Sequence, residues 1–366
     1  MPHHTPPHLQ ALAGESLVFE QAHVQSQMCV PTRNSFMTGR RPERTTVFND
    51  GIGATADGFR AAPGGAGWTT LPGYFKRHGY FVTGVGKSFH PNQPKNFDQP
   101  MSWSEELPYY YPKPVACPTA DDVWCAVPDD DPSGFEDSLV LAEAKARLDY
   151  AVNGSTGSPA RPFFLAVGFH KPHTPYRAPQ SFYDAQPPLA QTAVAAHPGF
   201  PANTTGLAWF SCQAEGKQYP INYTHNYPTL VQQQLRRAYY AAVSFTDANI
   251  GALLAHLDGL VASKRLARED VLVVFHADHG YVPQLTASDV SFFYLLSTPA
   301  CTTLLPLTSL LVVCPSPGTS WASATCTARR RTSTWRRTCR SWCARPSART
   351  PAPWGSARRA SRRSWT

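Results

Sequence analysis

The sequence predicts an α/β fold built on an open, largely parallel sheet. Short apolar runs of buried-strand type alternate with segments of helical spacing, polar clusters fall just after the apolar runs, and no internal repeat interrupts the alternation. A sheet of this kind gathers its active site along the edge formed by the C-terminal ends of its strands. Hydrophobic residues make up 42% of the chain, aromatic 12% and charged 16%, enough for a real core and too few charges for a mostly solvated chain. The 366 residues suit one large domain or two ordinary ones.

Leu9 to Leu17 reads as a short amphipathic helix and Leu17 to Gln21 as a brief strand. Gln25 to Arg40 mixes small and polar residues, and Pro31 is expected to block regular structure there. Phe75 to Tyr80 looks like a helix end with Gly79 as its stop, followed by an apolar strand from Tyr80 to Val85. Pro91 to Pro132, rich in Pro, Asp and Tyr, reads as a long surface loop. Glu143 to Val152 suits a helix, and Pro162 to Phe169 a buried strand. Leu230 to Leu260 has helical spacing with Asp247 and Asn249 placed on its polar side. Val271 to His276 is a further buried strand that runs into Ala277-Asp278-His279-Gly280.

The composition then changes. No acidic residue follows Asp289 and no lysine follows Lys264. From Thr319 to Thr366 there are 12 Arg and no Asp, Glu or Lys, so the rest of the chain holds 21 basic against 25 acidic residues and is net −4, although the whole is +8. A nucleic-acid footprint is therefore not expected of the body. A membrane span is not expected either, because Pro299, Pro306 and the threonines of Val290 to Pro315 make a poor lipid helix. Read one base out of register from Gly318, the codons permit Tyr-Gln-Leu-Gly-Glu, and from Ala328 to Cys343 a string that starts polar and ends apolar. The expectation is that residues 282–366 are a tail without regular structure, retained intron to about Pro317 and shifted frame beyond it. A basic binding tail or membrane tether acting without catalysis is the reading from a different class. The first residues, Met-Pro-His-His-Thr-Pro-Pro, form no secretory signal.

Cys29-Val30-Pro31-Thr32-Arg33, followed at fixed distance by Thr38-Gly39-Arg40, is the sharpest motif. It resembles the signature of the sulfatases, in which the cysteine is oxidised by a dedicated enzyme to formylglycine. Gly39 to Thr45, Tyr74-Phe75-Lys76, Gly84 to Pro91, Pro162 to Arg177 with Gly168-Phe169-His170-Lys171-Pro172-His173, and Ala277 to Gly280 resemble the iduronate-2-sulfatase branch of that family. The resemblance runs from about Thr5 to Tyr281, so residues 1–281 are expected to form a partial catalytic domain and 282–366 a tail unrelated to it.

The resemblance implies an alkaline-phosphatase-like fold, a mixed central sheet flanked by helices, that removes sulfate from a sugar of the iduronate 2-sulfate type. It implies that Cys29 is the nucleophile and a metal ligand, that Arg33 holds the formylglycine hydroxyl, that Lys87 and His90 contact sulfate or the hydrate, and that His170 donates a proton to the leaving group, with His173 a weaker candidate. Asp278 and His279 match a metal-binding pair, Asp278 the firmer ligand and His279 either a ligand or a residue lining the site, and the cation is expected to be calcium. Family members begin with a strand ending in paired aspartates, absent here, so a missing parallel strand, an unpaired sheet edge, poor folding and little activity are expected of this polypeptide. The resemblance also implies a Cys117–Cys125 disulfide. With the sequons at Asn153, Asn203 and Asn222 and maturation by a formylglycine-generating enzyme, it implies a lysosomal or secreted glycoprotein acting on glycosaminoglycan-type sugars.

Overall fold

The computed structural model describes residues 6–49, 57–119, 122–153, 161–194, 227–280 and 309–314. The helix α1 spans Pro7–Gly14, with proline at a first-turn position where its missing N–H costs nothing. Asp247 caps it from the far end of the sequence, accepting the His8 and Leu9 amides at 3.1 and 2.8 Å. Asp247 and Asn249 are thus buried, not solvated as the periodicity suggested. The carboxylate serves as a cap, and the Asn249 amide donates back to the Phe245 carbonyl. Leu17 to Gln21 forms no strand: Leu17, Val18 and Phe19 are exposed, and no strand among the described residues pairs with them.

Pro31 does not break the chain. The helix α2 is Cys29–Thr38 and Pro31 is its third residue, inside the first turn, where amides have no intrahelical acceptor to lose. Gly39 ends it in the left-handed conformation at φ +65°. The helix α3, Pro42–Thr45, is a single turn. In α4, Leu71–Arg77, the Thr70 hydroxyl caps the Gly73 amide at 3.0 Å, and Gly79 (φ +82°) turns the chain into β1, Phe81–Gly86.

The stretch from Pro91 to Pro132 is more than a surface loop. Trp103 is fully buried, with its indole N–H on the Phe97 carbonyl at 2.6 Å, and Asp98 is gripped by Arg60 at 2.6 and 2.7 Å. The strand β2, Trp124–Val127, lies here and pairs in parallel with β4, Tyr176–Pro179. A Cys117–Cys125 disulfide closes the turn before it, and a loop of this length contributes about 2–3 kcal/mol by restricting the unfolded chain.

The helix α5, Glu136–Asn153, begins seven residues earlier than the apolar spacing suggested. It leads to β3, Phe163–Gly168, which pairs residue for residue with β1, Phe81 opposite Phe163 and Gly86 opposite Gly168. After α6, Gln180–Asp184, the long helix α7, Thr229–Ala262, packs on α1, α5, α6 and β4. The strand β5, Leu272–His276, is half exposed, with Leu272 and Val274 facing out.

The main sheet has the order β1-β3-β6-β5, where β6 is Ser309–Cys314 and runs antiparallel to both neighbours. A strand thus comes from the stretch expected to lack regular structure, and it occupies the space between β3 and β5; the remainder of 282–366 lies outside the described residues. β1 and β3 are buried on both faces, as a helix-covered parallel sheet requires. Alternation sends Phe81, Val85, Phe163, Leu165 and Val167 into one core with α5 and α7, and Val82, Phe164 and Ala166 into a second with Met37, Phe59 and Trp103.

Candidate active site

Two segments converge on Cys29, the first residue of α2, where the helix dipole favours negative charge. The segment after β5 supplies His279, whose Nε2 lies 3.1 Å from the sulfur. The segment after β1 supplies Lys87, whose ammonium lies 3.7 Å away. Burial raises the thiol, but Lys87 and His279 outweigh it and hold Cys29 below its ordinary value. Burial likewise works against a charged His279, yet the sulfur and Asp278 raise it to about 9. The pair therefore sits toward thiolate and imidazolium.

Arg33, one helical turn after Cys29 and fully buried, joins these two segments. Its guanidinium lies 2.8 Å from the Asp278 carboxylate and also donates to the Lys87 and Ser88 carbonyls. Burial pushes the Asp278 carboxyl up, but Arg33, then His279 and Lys87, hold it well below the carboxylate range. The Lys87 backbone is fixed by its amide on the Gly168 carbonyl at 2.7 Å. The Tyr109 hydroxyl, which receives the Ser88 amide at 3.1 Å and donates to the Gly86 carbonyl at 2.6 Å, braces the same turn.

His90 and His170 approach as neutral rings. Burial, then Lys87 and Arg33, lower His90 to about 3, and its Nδ1–H is donated to the Pro91 carbonyl at 3.1 Å. Burial lowers His170 to about 3, with Lys171 and Lys87 adding to it and Glu136 opposing. His173 is exposed; it stacks on His170 at 4.9 Å and turns its Nδ1 to the Thr174 carbonyl. The structure thus brings Cys29, Arg33, Lys87, Asp278 and His279 into direct contact, while His90 and His170 make their hydrogen bonds elsewhere, to the Pro91 carbonyl and to Glu136.

Cys29, Asp278 and His279 also form a group whose ligand atoms all lie within 4.8 Å of one another. One sulfur, one carboxylate and one imidazole suit a borderline-soft divalent cation. They do not fit calcium, which takes six to eight oxygens, and the carboxylate is already paired with Arg33.

Glu136, Asp137 and Lys171 were not anticipated from the sequence. The signal was an acidic pair in the first turn of a helix, hidden because the apolar spacing becomes legible only from Glu143.

The family profile described as Sulfatase matches residues 1–289 of this chain. The chain belongs to the sulfatase family. Iduronate 2-sulfatase of Mus musculus is 33% identical over 295 residues, covering 75% of this chain and 50% of that protein. Its Homo sapiens counterpart is 33% identical over 299 residues with the same coverage. Choline-sulfatase of Rhizobium meliloti (strain 1021) is 25% identical over 297 residues, covering 75% of this chain and 52% of the relative. The chain spans about half the length of the curated relatives it matches. Among solved structures, a phosphonate monoester hydrolase from Silicibacter pomeroyi superposes with a TM-score of 0.50 at 16% identity, covering 85% of this sulfatase-family chain and 63% of that one. That likeness agrees with the alkaline-phosphatase-like α/β architecture expected from the sequence.

Proposed function

We propose that this sulfatase-family chain hydrolyses sulfate esters of sugars, with Cys29 as the precursor of the nucleophile. The observation that carries the reading is the thiol at the head of a buried helix, with Lys87 and His279 against its sulfur and Arg33 one turn behind. Oxidised to an aldehyde and hydrated, that side chain supplies a hydroxyl able to attack sulfur. The surrounding cations are fixed before reaction by hydrogen bonds and packing, which is what stabilisation of a transferring sulfuryl group needs. Lys87 and His279 face the sulfate oxygens; Arg33, held by Asp278 and two carbonyls, keeps the turn bearing Lys87 in place.

His170 handles the proton. Neutral at rest, it takes a proton from water at its free ring nitrogen and passes it to the leaving sugar oxygen, so the alcohol departs uncharged. The similarity to the iduronate 2-sulfatases supports an iduronate 2-sulfate type substrate. Glycosaminoglycan-type partners, a formylglycine-generating enzyme in maturation, and a lysosomal or secreted location belong to the same proposal. The Cys117–Cys125 disulfide supports it, as does Asn153 at the end of α5. The resemblance includes a divalent cation, which Cys29, Asp278 and His279 would hold, although these three donors do not fit calcium.

The competing reading, a non-catalytic basic or membrane-tethered protein, rests on residues outside those described. No helix among the described residues is long and apolar enough to cross a membrane. Co-expression of the full chain with a formylglycine-generating enzyme, followed by mass spectrometry of the peptide containing Cys29, tests the proposal. An aldehyde in place of the thiol is the expected result, with sulfate release from a sulfated sugar, however slow in this polypeptide, abolished by Cys29→Ala. A thiol that persists unmodified overturns it.

A further inference from the structure

We infer that Glu136 is a positioning residue for His170: its carboxylate takes the ring's Nδ1–H and thereby assigns the other nitrogen, Nε2, to proton transfer. The inference rests on the proposed role of His170. It starts from a contact of 3.2 Å between His170 Nδ1 and Glu136 Oε1, both side chains being buried or nearly so. A carboxylate only accepts, so the nitrogen facing it must carry the hydrogen. The tautomer of His170 is therefore fixed by chemistry.

Three features keep that carboxylate charged and in place. The Lys171 ammonium lies 2.8 Å from the same oxygen and is itself held by the Pro175 carbonyl at 2.9 Å. Burial pushes Glu136 up, but Lys171 and then His170 bring it below the usual carboxylate range. Both acidic residues stand in the first turn of an 18-residue helix, where the dipole favours them. The neighbour, Asp137, clamps the backbone, accepting the His170 amide at 2.7 Å and the Lys171 amide at 2.9 Å. Buried beside the Glu136 charge, it is pushed up to about 7. With His173 stacked on the ring and Lys87 acting across the site, these are the charged groups that set the state of His170. One helix end thus controls both backbone and ring of the residue that follows β3. The arrangement is that of a carboxylate–histidine pair, in which the carboxylate fixes the tautomer and orientation of the ring.

Long-range ¹H–¹⁵N correlation spectra of the imidazole nitrogens in the full chain, with His170 assigned through His170→Gln, test this directly. The expected result is a neutral Nδ1–H tautomer from pH 5 to 8, which Glu136→Gln converts to a mixture and Glu136→Asp partly restores. An Nε2–H tautomer in the unmutated chain overturns the inference without any variant. So does an unchanged His170 signal in a folded Glu136→Gln chain, which would leave Glu136 as no more than the ion partner of Lys171. In the converted enzyme, Glu136→Gln should lower kcat on a sugar sulfate, by at most about 10²–10⁴-fold, the worth of a general acid–base group. It should affect an aryl sulfate, whose leaving group needs no proton, far less. His170→Gln should show the same contrast. If His170→Gln lacks it while the tautomer result holds, the proton-transfer role fails and the positioning contact stands; if only Glu136→Gln lacks it, the positioning role fails.

Discussion

Arg33 shows how one side chain can serve fold and chemistry together. Removing either member of its buried pair with Asp278 would strand a charge, at a cost of about 3–5 kcal/mol. That identity was readable, because Cys-x-Pro-x-Arg places it one helical turn from the thiol once α2 is admitted. The protonation of the histidines was not readable, since it depends on burial and on charges from other elements. His90 and His170, both lowered to about 3, remain neutral in the folded chain while the unfolded chain takes up protons near pH 6.5. The unfolded state then binds more protons between those limits, so these residues make stability fall as pH drops through that window. Asp137, pushed up to about 7, works in the opposite sense, so the comparison must be made between proteins and not between pH values alone. In urea titrations from pH 6.5 to 5, the His90→Gln/His170→Gln double variant should lose up to about 2–3 kcal/mol per pH unit of that downward slope. Parallel curves for the two proteins would show that the histidines are protonated in the folded state.

Among the elements, β1, β3, α4 and α7 were legible because each pairs a clear period with a recognisable stop. α2 was not, since proline is read as a breaker unless its place in the first turn is known. The start of α5 was obscured because Glu136 and Asp137 look like solvated residues until the β3–α7 segment is placed against them. The turn from β1 into Lys87 was visible as a Gly-Val-Gly-Lys motif, but its reason lies in three dimensions. Gly86 sits at φ +73°, and a Cβ there would fall 2.0 Å from the Gly168 carbonyl oxygen of the paired strand. A Cβ on Gly168 would in turn lie 2.3 Å from the Lys87 carbonyl carbon. The two strand ends approach backbone to backbone, and this is what seats Lys87 against the sulfur. Gly86→Ala should therefore cost about 3 kcal/mol or more in chemical unfolding, combining left-handed strain with overpacking. It should also raise the pH at which Cys29 is alkylated, because Lys87 is displaced. A variant of unchanged stability would mean the strands can separate without penalty.

At the scale of the molecule, the site is divided between two ends of one sheet. Lys87 follows β1, an edge strand, and Asp278 and His279 follow β5, the opposite edge. α2 lies between them, with Cys29 and Arg33 reaching both. Their relative placement depends on what joins β3 to β5, and that is β6, hydrogen-bonded along its length to Phe163–Gly168 on one side and Leu272–His276 on the other. No family motif reveals such a strand; a run of Leu and Val in the changed composition of the tail was the only sign. If β6 ties the two halves together, a proline at Val312, opposite both Leu165 and Val273, removes a ladder donor in a central strand and should be disruptive. Val312→Pro should abolish slow amide hydrogen exchange in β3 and β5 alike. It should also raise the pH at which Cys29 is alkylated, as Asp278 and His279 drift from Arg33 and the sulfur. Leu17→Pro, at an exposed position outside any element, controls for the substitution itself. If the two proline variants exchange and alkylate alike, β6 does not couple the halves, and the Arg33–Asp278 and Cys29–His279 contacts hold the site unaided.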